Sequence, residues 1–293
     1  MFFSRVTLNP DITTTSLSGI IADRIYSKHR LLWDLFPGQQ RRTFLFREEF
    51  EGEQIKSRSK LQLKGTSVYY VVSADKPESN VLFCVEPKEY KPRISEGEVL
   101  SFRLRANATV TREGKRHDIA MDAQNRFLVE FCANNQLSVV PGRQVRPQKR
   151  DYKKAILTAA SMELDQQLTR VLEACDRYRE NLTIVQNRRE LLDCVLKSSM
   201  DHALENWLVA QGEKKGFELI SRGENLGIGR YERHAIPEKG KNAEFHSVDL
   251  SGSLEVKNEG VFIEQALFNG VGRARAFGCG LMMVRRTQET CGK

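Results

Sequence analysis

Two residues near the amino terminus have the types and spacing for proton transfer: Tyr26 and His29, in RIYSKHRLLWDLFPG at 24–38. In a helix, side chains three apart share one face, about 60° from each other around the axis. Imidazole exchanges a proton near neutral pH, with an ordinary pKa of about 6.5, and suits general acid or base catalysis. A phenol hydroxyl can hold a reacting hydroxyl or a phosphate oxygen. On residue types alone the bland account of His29 is stronger: a helix-end histidine that caps carbonyls or packs beside Trp33. Tyr26 likewise reads as core, with its hydroxyl at the rim. The spacing recurs at Tyr231 and His234 in GRYERHAIP, which sit between two predicted strands with Arg230 and Arg233 as neighbours, a setting better suited to contact with a polyanion than to a rigid catalytic pair.

A second such stretch is GVGRARAFGCG at 270–280, with Gly270, Gly272, Gly278 and Gly280 around Arg273 and Arg275. A dinucleotide fingerprint requires a strand before the glycines and a helix after them; here a helix precedes and a strand follows, and Arg275 stands where the last glycine belongs. Two readings stay open. The glycines let the backbone approach an anion and present N–H groups to it, or they make a tight helix-to-strand turn. No metal site is expected: H-E-x-x-H is absent, the cysteines at 84, 132, 175, 194, 279 and 291 form no C-x-x-C, and the acidic run REEFEGE at 47–53 reads as a solvated strand end and turn.

The chain has 293 residues, enough for two domains, and 46 Lys and Arg against 38 Asp and Glu give a net charge of +8. A positive field attracts phosphate before specific contacts form, so a polyanion is the expected partner. Neither a signal-peptide apolar region nor a membrane-length run appears, which predicts a cytoplasmic protein without a membrane partner. The thiols read as reduced.

Strand-like alternation marks FFSRVTL (2–8), RTFLFREEF (42–50), TSVYYVVSA (66–74) and SNVLFCVEP (79–87). Thr14, Thr15 or Ser16 caps a helix that carries Leu17, Ile20, Ile21 and Ile25 at helical spacing and stops at Pro37 and Gly38. Asp75, Lys76 and Pro77 leave room for a short turn or helical fragment. That order predicts a ferredoxin-like split βαβ unit, the fold of RNA-recognition modules. A second set runs from VLSFRLRANATV (99–110) through a long helical stretch at about 152–213, then FELIS (217–221) and FHSVDLSGSLEV (245–256) as a hairpin with a long loop, a helix at 259–268 and a strand at 277–286. The expectation is α+β: two tandem ferredoxin-like, RRM-like domains over 1–94 and 95–293, the second with a helical insertion at about 112–200. Within it, PGRQVRPQKRDYKK (141–154) reads as a basic arm or loop with Arg143, Arg146, Lys149, Arg150, Lys153 and Lys154. Charge alone leaves it equally a solvated arm or an RNA clamp.

The glycine pattern in GVGRARAFGCGLMMV, before the last strand of a twin ferredoxin-like chain, resembles the signature of CRISPR-associated repeat-RNA-processing proteins, and it is particularly similar to the CasE family, the endoribonuclease of the type I-E Cascade complex. The resemblance extends to MFFSRVTL, YSKHRLLWDLFPG, RTFLFRE, YYVVSADKP, FRLRANATV and FHSVDLSGSLEV, and it fades over about 112–200. It implies cleavage of precursor CRISPR RNA at the base of each repeat hairpin by the RNA's own 2′-hydroxyl, without metal or small-molecule cofactor. The ends would be a 2′,3′-cyclic phosphate and a 5′-hydroxyl.

The family's histidine maps onto His29, as acid or base, and its tyrosine onto Tyr26. Cations for the phosphates would come from Arg24, Lys28, Arg30, Arg41, Arg42 and Arg47, from Arg273 and Arg275 in the glycine-rich loop, and from the basic stretch as a stem clamp. The implied partners are the repeat hairpin, as pre-crRNA and crRNA, and other Cascade subunits. A non-cleaving RNA-hairpin-binding subunit is the alternative.

Overall fold

Alternating apolar residues build the first sheet from β1 (Phe2–Leu8), β2 (Phe44–Phe50), β3 (Ser67–Ser73) and β4 (Phe83–Glu89). The structure, a computed structural model, describes residues 1–10, 30–50, 67–142, 144–236 and 243–287. Strand order is β2-β3-β1-β4, every pair antiparallel, which is the ferredoxin-like permutation. Side chains of period two put Val6, Phe44, Phe46, Tyr69, Val71 and Phe83 on one face, where Leu32, Leu35 and Phe36 cover them. The opposite face contributes Leu45 and Val72 to a second apolar cluster with Leu281. Both faces are therefore buried. Residues 74–82 join β3 to β4 as bends without a helix.

The second sheet repeats the permutation. β5 (Val99–Ala106), β8 (Phe217–Leu219), β10 (Glu244–Val256) and β11 (Met282–Arg286) stand in the order β11-β5-β10-β8, again antiparallel. The fold is thus α+β with tandem ferredoxin-like sheets. Between β8 and β10, where a long loop was expected, β9 (Gly227–Ala235) pairs with the first half of β10 across a bulge at Val248/Leu250. Its side chains are exposed or half-buried along the whole strand, so it carries no apolar alternation to betray it. The last strand starts at Met282, not at Phe277, because Gly278 and Gly280 hold φ of +82° and +93° and break the extended chain.

Two short strands, β6 (Thr109–Arg112) and β7 (Lys115–Asp118), form a separate hairpin, followed by α1 (Ile119–Asn134), α2 (Lys149–Thr158), α3 (Met162–Glu173), α4 (Asp176–Arg179) and the 28-residue α5 (Arg188–Lys215). Leu128, Phe131, Ile156, Leu164, Leu168, Leu172, Leu192 and Val195 give these helices their own core. The basic stretch is accordingly only partly a loop: from Lys149 it is helix, started by a capping box in which Gln148 and Asp151 satisfy each other's backbone N–H groups. Near the carboxyl end, α6 begins as an α-turn (Glu259–Val261) and continues as a π-helix (Phe262–Phe268).

The chain divides into two compact units. One comprises 1–107, 211–220 and 227–293 and holds both sheets; the other comprises 108–210 and 221–226. Among the described residues no helix is long and apolar enough to cross a membrane, and no group of three or more His, Cys, Asp or Glu is placed to hold a metal ion.

Candidate nucleic-acid interface

Tyr26 and His29 lie outside the described residues, as do Arg24, Lys28 and Arg143. What the structure fixes is the segment that follows them. Residues 30–33 are helical with Arg30 exposed, and Leu32, Leu35 and Phe36 insert into the first sheet's core. Phe36 stacks on Phe44 at 4.8 Å, Trp33 meets the same ring edge-on, and the Trp33 indole donates to the Gln39 carbonyl at 3.2 Å. The chain that carries the Tyr–His pair is thereby pinned just downstream of it.

Behind α6, the glycine-rich loop is a tight turn that spends several backbone donors inside the protein. Val271 N–H donates to the Gly280 carbonyl (2.9 Å), Arg273 N–H to Asn107 (3.3 Å), Phe277 N–H to Ala274 (2.8 Å) and Gly280 N–H to Arg105 (2.7 Å). Glycine is required by space as well as by φ. At Gly270, φ +77°, a Cβ would stand 2.8 Å from the Gly280 carbonyl oxygen and 2.9 Å from Leu45 Cδ1; at Gly278 it would press on the Phe46 ring. Of the two readings left open by sequence, these donors and contacts favour the turn.

The loop's charges are distributed differently. Arg275 donates to the Gly272 carbonyl (3.2 Å) and the Gly270 carbonyl (3.3 Å), and Lys215, at the end of α5, donates to Gly270 (2.9 Å) and Gln265 (2.7 Å). Burial, then the positive charge of Arg275, lowers the pKa of both Lys215 and Arg42; burial, then Arg273, lowers that of Arg275. Among the described residues, the neighbouring charges that lower these three values are cations, Arg275 and Arg273. Arg42 also has a buried Nη1 with no hydrogen-bond partner. Cations held together without a balancing carboxylate repel one another, and a phosphate among them removes that penalty. Arg41 is exposed beside this cluster's Arg42 in sequence.

Arg47 belongs elsewhere. It is 2% exposed, pairs with Glu49 and donates to Asp249 at 3.1 Å, while Arg105 grips Asp249 through two bonds (3.1 and 2.8 Å) and Arg103 approaches Glu49 at 3.5 Å. The expected solvated strand end is thus a buried ion network joining the two sheets, and Arg47 is not free for phosphate. Burial pulls the Asp249 carboxyl up, but the Arg105 hydrogen bonds and the charges of Arg47, Arg105 and Arg103 outweigh it and hold it below its usual range.

Beside the loop, His234 accepts or donates at Ser247 Oγ (2.7 Å) and stacks on Phe245 at 4.7 Å, which stacks in turn on Phe277 at 5.0 Å. Tyr231 stacks on His246 at 4.8 Å, so the second Tyr–His pair is split between different partners. Asn107 ties the region together, donating to the His246 carbonyl at 2.6 Å while its own carbonyl takes the Arg273 N–H. Asn107 and Lys215 carried no sign of the loop in motif reading; a bridge to Arg273 brings the first to it, and the end of α5 brings the second. In the other unit, Arg146, Arg150 and Lys154 are exposed, Lys149 is half-buried with Nζ 3.3 Å from Met121 Sδ, and Lys153 pairs with Asp193 at 3.2 Å.

Over residues 1–286 the chain matches the family described as CRISPR associated protein. No curated protein matches it. Several solved structures share its fold. CRISPR endoribonuclease Cse3 bound to a 19-nt RNA is 18% identical over 97% of this chain and 100% of that one, with a TM-score of 0.53. Thermus thermophilus Cse3 bound to an RNA representing a pre-cleavage complex is 18% identical over 97% and 98%, with a TM-score of 0.54. A CRISPR-associated protein from Thermus thermophilus is 18% identical over 97% and 100%, with a TM-score of 0.50.

Proposed function

The chain belongs to the family of CRISPR associated proteins, and on that premise we propose that it is a metal-independent endoribonuclease that cuts precursor CRISPR RNA at the base of the repeat hairpin. It keeps the cut hairpin as mature crRNA and so becomes a Cascade subunit, working in the cytoplasm. The observation that carries this reading is the unbalanced cation cluster of Arg42, Arg275 and Lys215 at the glycine-rich turn, on a chain that matches the family from residue 1 to 286. The domains are an N-terminal ferredoxin-like one over 1–94, with the Tyr–His pair, and a C-terminal one over 95–293.

In the reaction the 2′-oxygen loses its proton and bonds to the adjacent phosphorus, the P–O5′ bond breaks, and the 5′-oxygen is protonated. The ends are a 2′,3′-cyclic phosphate and a 5′-hydroxyl. His29 transfers one of the two protons, and Tyr26 holds the 2′-hydroxyl or the phosphate. Arg273, Arg275 and Arg42, with Arg24, Lys28, Arg30 and Arg41 from the first domain, neutralise phosphates. Gly270, Gly272, Gly278 and Gly280 serve by shaping the turn that brings the loop arginines to the RNA. The stem, whose deep major groove is closed to side chains, is held by phosphate and shape contacts from Arg143, Arg146, Lys149, Arg150, Lys153 and Lys154.

The deciding assay places the protein in EDTA with an end-labelled repeat hairpin, beside the same RNA carrying a 2′-deoxy nucleotide just upstream of the cut. Cutting of the first and mere binding of the second is the expected result. Tight binding of both without cutting would instead make the protein a non-cleaving hairpin-binding subunit.

A further inference from the structure

In the second unit, the β6–β7 hairpin has a register with a physical cost. Arg112 stands directly opposite Lys115, and Thr111 opposite Arg116. Like charges facing each other across a ribbon destabilise it, and a two-stranded ribbon of four-residue strands is marginal to begin with. No residue of either strand is buried, and 111–116 are all exposed. The tip itself is well formed, with Glu113 and Gly114 at φ +49° and +72°, the positive pair that a two-residue hairpin turn demands.

Only part of the charge is answered locally. Asp122, in the first turn of α1, takes Arg112 at 3.2 Å and His117 at 3.4 Å. The base of the hairpin is joined to α2 through Lys149, whose ammonium lies by Met121 and feels the carboxylates of Asp118 and Asp122. On α2, Arg150 pairs with Asp151 at 3.6 Å and Lys153 with Asp193 at 3.2 Å, while Lys154 is exposed.

We propose that this unit carries its own surface for an RNA phosphate backbone, formed by Arg112, Lys115 and Arg116 at the hairpin tip. The proposal rests on the RNA-processing reading and extends the binding surface to a hairpin tip that the reading above leaves unassigned. A chain of phosphates converts the facing cations from mutual repulsion to shared attraction, and guanidinium forks fit phosphate oxygens. The tip offers Thr, Arg, Glu, Gly, Lys and Arg, with nothing apolar to enter a membrane interface or to bury against a protein.

The test compares full-length protein with a Lys115→Gln/Arg116→Gln variant, measuring affinity for the repeat RNA from 50 to 300 mM salt and, separately, for vesicles of phosphatidylglycerol and phosphatidylcholine. The expected result is a slope of log affinity on log salt that is shallower by about 1.4 to 1.8, since each lost phosphate contact removes about 0.7 in single strands and about 0.9 in duplex. The variant's thermal midpoint should be unchanged or higher. An unchanged slope in a variant that binds RNA as the parent does overturns this inference alone. If the parent fails to hold RNA at all, the functional reading falls and this surface with it. Loss of vesicle binding with RNA affinity intact would assign the hairpin to a lipid surface and overturn the proposal.

Discussion

At the residue scale, His29→Ala should bind the hairpin normally and cut it about 10²- to 10⁴-fold more slowly in single-turnover assays, the range for losing a general acid or base. Equal rates would make His29 a packing residue. A second histidine gives a pH signature. Burial first, helped by the positive charges of Arg105 and His246 and opposed by Glu232, pushes the His234 pKa down. The unfolded chain therefore binds more protons at this site, and the contribution of neutral His234 to stability is full above the unfolded value of about 6.5 and is lost progressively as pH falls below it. His234→Phe keeps the stack on Phe245 and removes the titration. Its thermal midpoint should decline less than the parent's between pH 7.5 and 5.5, and parallel declines would remove His234 as a cause.

At the element scale, the glycine-rich turn is held by backbone geometry. Gly270→Ala should destabilise the protein by about 1 to 3 kcal/mol, combining left-handed backbone strain with contacts that nothing nearby can relieve, because one is the Gly280 backbone. A thermal midpoint equal to the parent's would show that the turn relaxes freely. The elements that alternation marks were legible: β1 begins and ends where Phe2 and Leu8 predict, and β2, β3, β8 and β10 lie within two residues at each end of their expected positions. Those that alternation does not mark were missed. β9 and the β6–β7 hairpin are polar along both faces, and α1 lies in the stretch where no pattern was read.

At the scale of the whole molecule, the two sheets meet through Leu45, Val72 and Leu281, with Phe3, Tyr70, Tyr90, Phe268 and Met283 around them, and through the Arg47–Asp249–Arg105 network. Leu281→Ala should cost about 2 to 4 kcal/mol by leaving a cavity among these groups. Measured in urea, it should lower the midpoint of unfolding, and a midpoint within error of the parent's would remove Leu281 as a contributor to the junction of the sheets. That network was unreadable in sequence, since Arg47 and Asp249 are 202 positions apart and REEFEGE has the composition of a solvent-facing run.

By itself the sequence determined the class of fold and the family, because alternation and the glycine spacing are local quantities. Tertiary structure alone decided what each charge does. Arg47 and Arg42 are five apart in one segment, yet one is neutralised inside the sheet pair and the other is left among cations at the loop. Which of two arginines keeps its charge available depends on whether a carboxylate from a distant strand reaches it, and pairing of β10 with β5, not local spacing, sets Asp249 beside Arg105.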